Sequence, residues 1–384
     1  MNKQEQYRIV MPLGEQRQYV VYQVERLNRF GKIEAREALL LLRETAPDAI
    51  QRLRAQALAL RNGSVSGLAR MDRLVDFEGR TAVIRELLDG LSLDQALFGG
   101  PIPGDVSSAI IGKAASVLHQ ASSLPGADGR PLGLLHGSVQ LSTLFVMDNG
   151  QVSVLDFGLV GTDPTDGFGR GRGAWCHVPP ERWRGLHKRA GEVYSLGTVY
   201  YHLLTGRHFP EAGRTEDEHR ALLASGIEGV SREYRDLLAS MLDWSWRARP
   251  TLLEVRRQTK ELVGGREGVL KAWTEANNAL IRRKLPWPPP DEWSNRVIEV
   301  ASPEVEVDEG GHQAWDDVTA SYPIGALRMQ GRALEDREAA GAPVSPPLVE
   351  ESAVGGPLIA ILSGLVIVLV VLVLLVAGVL LLFL

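Results

Sequence analysis

The C-terminal end of the chain is a long apolar run without a charge, and such a run can fold in few ways. Its 27 residues, 358–384, read LIAILSGLVIVLVVLVLLVAGVLLLFL. As an α-helix it would be roughly 40 Å long, which exceeds the hydrocarbon core of a bilayer, about 30 Å thick. The alternative, a helix buried in a protein core, would need polar positions and a shorter run. The sequence therefore predicts a transmembrane helix at 357–384.

The N-terminal sequence, MNKQEQYRIVMPLGEQRQ, lacks the apolar segment of a secretion signal. We therefore expect a single-pass membrane protein whose N-terminal domain is cytoplasmic. The single cysteine, Cys176, rules out an intrachain disulfide and fits a reducing compartment. The eight histidines show no spacing that gathers metal ligands, so we expect no structural metal.

Composition divides the rest of the chain into three parts. Residues 1–264 alternate strand-like and helix-like patterns, and residues 265–285 have a helical spacing compatible with packing on that domain. Residues 286–356 are rich in Pro, Gly and acidic residues. Between Asp291 and Glu351, fourteen acidic residues face four arginines, whereas the whole chain has a net charge of −5. Such a segment buries little apolar surface, so it is predicted to be a mostly disordered linker. A solvated spacer is favoured over a docking site for basic partners.

The segment from His136 to Gly158 reads HGSVQLSTLFVMDNGQVSVLDFG and is the most informative for function. It resembles the catalytic loop of protein kinases, H-R-D-x-x-x-x-N, followed by their D-F-G motif. In that family the loop Asp accepts the substrate proton, and the Asn and the D-F-G Asp hold magnesium. The D-F-G residues are present as Asp156, Phe157 and Gly158. The positions of the catalytic Asp, Lys and Asn are degenerate and hold Ser138, Gln140 and Thr143.

Other segments match bacterial Ser/Thr protein kinases in the same order over about 260 residues. They are YRIVMPLGEQRQYVVYQVE for the first strands, RTAVIRELLDGLSLDQAL for the last N-lobe strand and hinge, VPPERW for the end of the activation segment, GEVYSLGTVYYHLLTGRHF for the central helix and MLDWSWRARPTLLEV for the closing motif. The resemblance implies an α+β, bilobal protein kinase-like fold. Its β-rich N-lobe would span about 1–86 and its helical C-lobe about 87–264, with Glu181 and Arg249 as a structural ion pair.

The resemblance assigns nucleotide-binding positions to Gly14, Val21 and Glu86. Kinase glycine loops let backbone amides approach the phosphates because glycine has no side chain. Here only Gly14 remains of the three glycines, and Gln16 and Tyr19 stand at the other two positions. Their side chains would crowd or replace the phosphate path.

The family's strand-three lysine corresponds to Arg36, with Lys32 as an alternative, and the helix-C glutamate to Gln56. An arginine keeps the charge but is forked and longer, so it is not equivalent to lysine. A neutral Gln56 would turn the usual ion pair into a hydrogen bond at best.

Asp156 remains the predicted metal ligand. One anionic ligand leaves Mg²⁺ dependent on waters and phosphates, so the resemblance implies weak binding of ATP and Mg²⁺. The alternative is that the motif is kept only to pack Phe157. His136 and Glu192, at the start of the central helix, are interpreted as structural residues.

The leading interpretation is a membrane-tethered pseudokinase that acts as a signalling scaffold or regulator. Its partners would be signalling proteins, either true kinases or their substrates, and no nucleic acid is expected. The alternative is an atypical active Ser/Thr kinase that transfers the ATP γ-phosphate to protein hydroxyls. A third hypothesis gives the membrane helix a role in homodimerisation, because Gly356, Ala360 and Gly364 are spaced by four and would form one small-residue face.

Overall fold

The computed structural model describes residues 5–15, 19–43, 65–124, 131, 133–157, 174–212, 215–266, 268–277, 279 and 289–300. In these ranges the chain forms a sheet lobe, residues 5–86, followed by a helical lobe, residues 93–277. The final described segment returns to the sheet lobe.

The sheet lobe is built on one antiparallel sheet. Its strands are β1 (Glu5–Glu15), β2 (Tyr19–Leu27), β3 (Ile33–Leu42), β4 (Met71–Phe77) and β5 (Arg80–Glu86), joined by β9 (Val297–Val300). Their spatial order is β4-β5-β3-β2-β1-β9. The long apolar run of β3 fits its central place, because a strand covered on both faces need not alternate with polar residues.

Side chains alternate between the two faces of this sheet. On the outer face, Leu39 and Ile84 join a small core that is sealed by the last strand. On the inner face, Leu40 and Val83 join the large core shared with the helices. The inner face therefore packs against the helical lobe, and the junction between the two lobes is called here the cleft.

The helical lobe contains seven helices among the described residues. They are α1 (Leu93–Ala96), α2 (Gly104–Ser122), α3 (Arg189–Thr205), α4 (Glu216–Ile227), α5 (Arg232–Met241), α6 (Leu252–Val263) and α7 (Val269–Ala276). Helices α2 and α3 carry most of the core, with Ile110, Ala114 and Leu118 of α2 fully buried. Helix α6 starts with a capping box between Thr251 and Glu254, which satisfies backbone donors at its first turn.

A second small sheet lies beneath the cleft. It consists of β6 (Gly90–Ser92), β7 (Leu144–Met147) and β8 (Val152–Val154), in the order β6-β7-β8. Strands β7 and β8 form a hairpin, and Asp156 follows it after one residue. The hairpin thus fixes the distance between the 136–143 loop and Asp156.

The structure differs from the sequence prediction at the start of the acidic linker. Residues 289–300 are ordered, and β9 pairs antiparallel with β1 from Glu5↔Val300 to Arg8↔Val297. Tyr22 donates a hydrogen bond of 2.7 Å to Asp291, and Trp293 packs edge-on against Phe77 at 5.0 Å. Residues 289–300, which lie beyond the predicted boundary near residue 264, thus cover the outer core of the sheet lobe.

Within the predicted helical extension, α7 packs on the helical lobe through the buried Leu270. Thr274 donates a hydrogen bond of 3.0 Å to the Asp148 carbonyl in the β7–β8 turn. The rest of the linker and the predicted transmembrane helix at 357–384 lie outside the described residues. Among the helices that the structure describes, none combines the length and apolar character needed to cross a membrane.

Candidate functional site

Asp156 lies at the centre of the cleft, and its own chain occupies both carboxylate oxygens. Arg85 Nε donates to Oδ1 at 3.0 Å, and the Tyr19 hydroxyl donates to Oδ2 at 2.7 Å. The Arg85 and Asp156 side chains are only 6% and 7% exposed. The three residues, called here the cleft triad, therefore form a buried ionic cluster.

The sheet register brings the cleft triad together. Arg85 pairs with Ala38 across β3 and β5, so it shares the inner face with Val83 two residues earlier. Tyr19 opens β2 and belongs to the same inner core. Three segments remote in sequence thus converge on the residue after the β7–β8 hairpin.

Protonation favours this arrangement. Burial, and secondarily the adjacent Asp156, raises the pKa of Tyr19 well above its ordinary value, so the phenol stays protonated and donates. Arg85 also donates to the Glu86 carbonyl at 3.1 Å. Asp156 itself has a left-handed backbone, φ 59°, which Asp tolerates better than most residues.

The loop before the hairpin is organised by His136. Its Nε2 lies 2.8 Å from the Leu155 carbonyl, and its Nδ1 accepts the Ser138 N–H at 3.2 Å. Burial lowers the pKa of His136 to about 4, so the ring is neutral near pH 7 with the proton on Nε2. The ring packs edge-on against Phe157 at 5.3 Å. His136 therefore ties the loop to the segment that carries Asp156.

The three degenerate loop positions are all buried. The Thr143 hydroxyl donates to the Gln140 carbonyl at 3.0 Å and accepts the Gln140 N–H at 3.1 Å, which closes a short 3-10 turn. The Ser138 hydroxyl lies 3.4 Å from His136 Nδ1. A hydroxyl beside a neutral imidazole supplies neither a carboxylate base nor an anionic metal ligand.

Glu192, near the start of α3, supports the same loop from below. Its Oε1 accepts the backbone N–H groups of His136 and, at 3.1 Å, of Gly137. Burial raises its pKa to about 7, although the two backbone donors oppose this shift. Its Oε2 is buried without a hydrogen-bond partner among the described residues, which suits a carboxyl that is protonated there.

Glu181 and Arg249 form a two-pronged ion pair, with both N···O distances at 2.8 Å. Both side chains are buried, and Arg249 also donates to the carbonyls of Asp243 at 2.7 Å and Ala190 at 3.1 Å. With a further hydrogen bond of 3.2 Å to the Trp244 carbonyl, all five N–H groups of the guanidinium have protein partners. The pair fastens the 3-10 turn Pro180–Arg184 to the helical lobe.

The side chains of the remaining predicted nucleotide positions make none of the hydrogen bonds that the structure shows at Asp156. Arg36 is 64% exposed on β3 and approaches Glu25 at 3.4 Å. Gly14 and Val21 face each other across β1 and β2, and the Glu86 carboxylate accepts the Arg70 N–H at 3.0 Å. Gly158, Gln16 and Gln56 lie outside the described residues.

Arg85 is a site residue that the sequence alone did not reveal. It ends the otherwise apolar run TAVIR, at a position that continues the inner-face alternation of β5. An arginine at such a position signals a buried acidic partner, because an unpaired buried charge is costly. The partner could not be read from the sequence, since 71 positions separate Arg85 from Asp156.

Comparisons with known proteins agree with this architecture. The probable serine/threonine-protein kinase PknB of Lactococcus lactis is 24% identical over 208 residues, which is 53% of this chain and 32% of the relative. The tyrosine-protein kinase MasK of Myxococcus xanthus is 27% identical over 50% of this chain and 30% of its own length. The serine/threonine-protein kinase PknL of Mycobacterium tuberculosis is 29% identical over 41% of this chain and 40% of its own length. This chain thus spans about a third of the length of these relatives, and no family model matches it.

A solved structure also matches the fold. The kinase domain of Mycobacterium tuberculosis PknI, in a double-mutant form, aligns with a TM-score of 0.50 and 18% identity, covering 66% of this chain and 95% of that domain. At this identity the likeness concerns the fold alone. The described body has a protein kinase-like fold, and the relatives support a bacterial Ser/Thr kinase-like domain.

Proposed function

We propose that this protein kinase-like chain is a membrane-tethered pseudokinase that acts as a signalling scaffold or regulator. The observation that carries the proposal is the cleft triad, in which Arg85 and Tyr19 occupy both oxygens of Asp156. The residue that would hold magnesium is thereby engaged in holding the sheet lobe to the helical lobe.

The cleft does not fit a magnesium–nucleotide complex in this arrangement. A metal ion at Asp156 would have to displace Arg85, whose guanidinium already neutralises the carboxylate. Separating a buried ion pair costs about 3–5 kcal/mol, which would weaken metal-dependent nucleotide binding by about two to four orders of magnitude. The cleft triad thus supports weak or absent ATP binding.

The loop residues oppose phosphoryl transfer for a separate reason. Ser138 and Thr143 stand where the family has its base and its second metal ligand, and both hydroxyls are buried in the loop. Loss of a general base usually costs about two to four orders of magnitude in rate. The degenerate loop and the cleft triad therefore both favour a pseudokinase over an active kinase.

The relatives are named as serine/threonine and tyrosine kinases, and their names favour the rival proposal, an atypical active kinase. That enzyme would have to open the cleft triad and use Asp156 with water in place of a base. Site chemistry outweighs fold likeness here, because unrelated functions share a fold.

The proposed location and partners rest on the sequence. The uncharged run at 358–384 would anchor the chain, with the kinase-like domain on the cytoplasmic side. The partners would be other signalling proteins, either kinases or their substrates. The membrane helix would also offer a homodimer contact through Gly356, Ala360 and Gly364.

Nucleotide binding by the detergent-solubilised chain tests the proposal. ATP is titrated with and without Mg²⁺ against the unmodified chain, Asp156→Ala, Arg85→Met and the control Arg220→Met, which removes an exposed arginine on α4. We expect no magnesium-dependent binding up to millimolar ATP in the unmodified chain and the control, and a gain in Arg85→Met, because that change frees Asp156.

Micromolar, magnesium-dependent binding by the unmodified chain, lost in Asp156→Ala, would contradict the proposal. Such a result would favour an atypical active kinase, and γ-phosphate transfer to a generic protein substrate would be measured next. Failure of Arg85→Met to bind while it remains folded would show that Arg85 alone does not close the cleft.

A further inference from the structure

A second cluster of reactive side chains lies away from the cleft, where the 3-10 turn Ala174–His177 meets the end of α3. Cys176, His177 and His208 each present one ligand atom, and these atoms all lie within 4.8 Å of one another. Cys176 Sγ is 3.9 Å from His208 Nδ1. Cys176 and His177 are buried and His208 is exposed, so the cluster has one side open to solvent.

The hydrogen bond of His177 Nδ1 leaves the lone pair of the other ring nitrogen, Nε2, available to a metal ion. Its Nδ1 lies 2.6 Å from the Thr198 hydroxyl, and that hydroxyl donates at 2.7 Å to the Ser195 carbonyl. Because the Thr198 proton is already committed, Thr198 accepts from His177, and the ring proton resides on Nδ1. The lone pair is then on Nε2. This is the arrangement in which protein histidines bind metals, with the other ring nitrogen held by a second residue.

A further imidazole adjoins the cluster. His202 is 8% exposed, and its ring meets that of His208 edge-on at 4.2 Å. Its Nδ1 has no hydrogen-bond partner among the residues that the structure describes. A buried polar nitrogen without a partner costs free energy, and a bound ion with its water would offset that cost.

The chemistry of the ligand atoms suits a cation of borderline softness. Zinc binds cysteine as the thiolate and histidine as the neutral imidazole, so binding at this cluster would release the thiol proton.

We propose that Cys176 Sγ, His177 Nε2 and His208 Nδ1 bind a transition-metal ion of the zinc class. Binding forms one metal–sulfur and two metal–nitrogen bonds, and the thiol proton is released to solvent. Water fills the fourth position.

The geometry requires a modest contraction. Tetrahedral zinc with bonds of about 2.3 Å to sulfur and about 2.0–2.1 Å to nitrogen places its ligands roughly 3.3–3.6 Å apart. The Sγ–Nδ1 separation of 3.9 Å is already near this value. Since His208 is exposed in the connection after α3, it can make most of the movement. The ion would fasten the turn that precedes Glu181 to the end of α3.

Zinc and Co²⁺ binding by the full chain in detergent, after chelator treatment, tests the proposal. We expect one Zn²⁺ per chain by elemental analysis, a Co²⁺ spectrum with tetrahedral and thiolate bands, and release of one proton per ion. Cys176→Ser should remove the thiolate band, and His208→Ala, at an exposed site, should weaken zinc affinity at least 100-fold. Thr198→Val should weaken zinc affinity by about 10–100-fold, because the hydroxyl that holds the His177 ring through Nδ1 is lost.

His119→Ala is the matched control, because His119 lies on α2 outside the cluster. It should bind zinc like the unmodified chain. Substoichiometric zinc in the folded, unmodified chain, or equal zinc affinity in His208→Ala and His119→Ala, would overturn the proposal. The readout is independent of nucleotide binding, so either proposal can fail without the other.

Discussion

At the scale of single residues, Asp156 combines three features that each require support from the surrounding structure. It combines a left-handed backbone, a buried negative charge and contacts to two strands of the sheet lobe. A metal-binding Asp in an open cleft would be free to meet its ligand, whereas this one has become a structural tie between lobes. The contribution of Asp156 should therefore be measurable as a contribution to the free energy of unfolding.

Replacing Asp156 should therefore destabilise the fold. We expect Asp156→Asn to lower the free energy of unfolding by about 3–5 kcal/mol, because it leaves the Arg85 charge buried without a counter-ion. Asn tolerates the left-handed backbone, so the loss reports on charge. Denaturant unfolding of the two single variants and of Arg85→Met/Asp156→Asn gives the coupling energy.

In this double-mutant cycle, Arg85→Met/Asp156→Asn should recover much of the free energy of unfolding that Asp156→Asn loses, because no unpaired charge remains. Arg36→Met, which removes an exposed arginine beside Glu25, should change stability by no more than about 0.5 kcal/mol. Additive effects of the Arg85 and Asp156 changes would refute a direct coupling between them.

Glu192 gives a pH-dependent prediction. Its pKa is raised from 4.5 to about 7 by burial, so the folded state holds the proton more tightly than the unfolded state. This contribution to stability is fully present below pH 4.5 and is lost as the pH rises through 7. Glu192→Gln stays neutral, so its stability relative to the unmodified chain should rise by up to about 3 kcal/mol between pH 4.5 and 8.

The difference between the two chains is the quantity to measure, by urea unfolding at several pH values. The lowered pKa of His136 acts in the opposite sense, since stability falls as the pH drops from 6.5 through about 4. It is common to both chains and largely cancels in the difference. A difference that does not change with pH would show that Glu192 ionises normally in the fold.

Site residues could be predicted from the sequence where they belong to one short motif, but not where their partners lie far away along the chain. The replacements at Ser138, Gln140 and Thr143 can be identified in the sequence because the loop motif has a fixed spacing. The sequence predicts that Tyr19 crowds the phosphate path, which stays a prediction; its hydrogen bond to Asp156 is seen only in the structure. Arg85 and the Cys176 cluster were not foreseen, because their partners come from distant segments and only the folded chain brings them together.

At the scale of elements, β9 is the least expected feature. The sheet lobe has an outer core whose cover is supplied by residues 289–300, more than 280 positions after the strand with which they pair. The alternation VIEV is too short to predict a strand beside an acidic, proline-rich region. The longer strands and helices carry stronger periodicity, and for this reason the bilobal fold could be inferred.

The two faces of β9 allow a matched test of its role. Ile298 is 7% exposed and its neighbour Val297 is 53% exposed. We expect Ile298→Ala to lower the free energy of unfolding by about 2–5 kcal/mol, and Val297→Ala by no more than about 0.5 kcal/mol. Equal effects of the two changes, measured by denaturant unfolding, would mean that β9 does not cover the outer core.

At the scale of the whole molecule, β9 would shorten the tether to the predicted membrane helix. Between Val300, the last residue that the structure describes, and that predicted helix lie 56 residues, 301–356. If they form a coil, as their composition predicts, their average span is about 40 Å. Such a tether would hold two domains at millimolar effective concentration once their membrane helices associate.

Helix association can be tested directly in lipid. Gly356→Leu/Gly364→Leu should weaken dimerisation of the full chain in vesicles by about tenfold or more, because leucine side chains keep the two backbones apart. Energy transfer between labelled copies, measured at several protein-to-lipid ratios, reports the equilibrium. Val376→Leu adds bulk to the opposite side of the same predicted helix and should leave the equilibrium unchanged. If the double variant and Val376→Leu dimerise alike, the small-residue face is not the contact between the two copies.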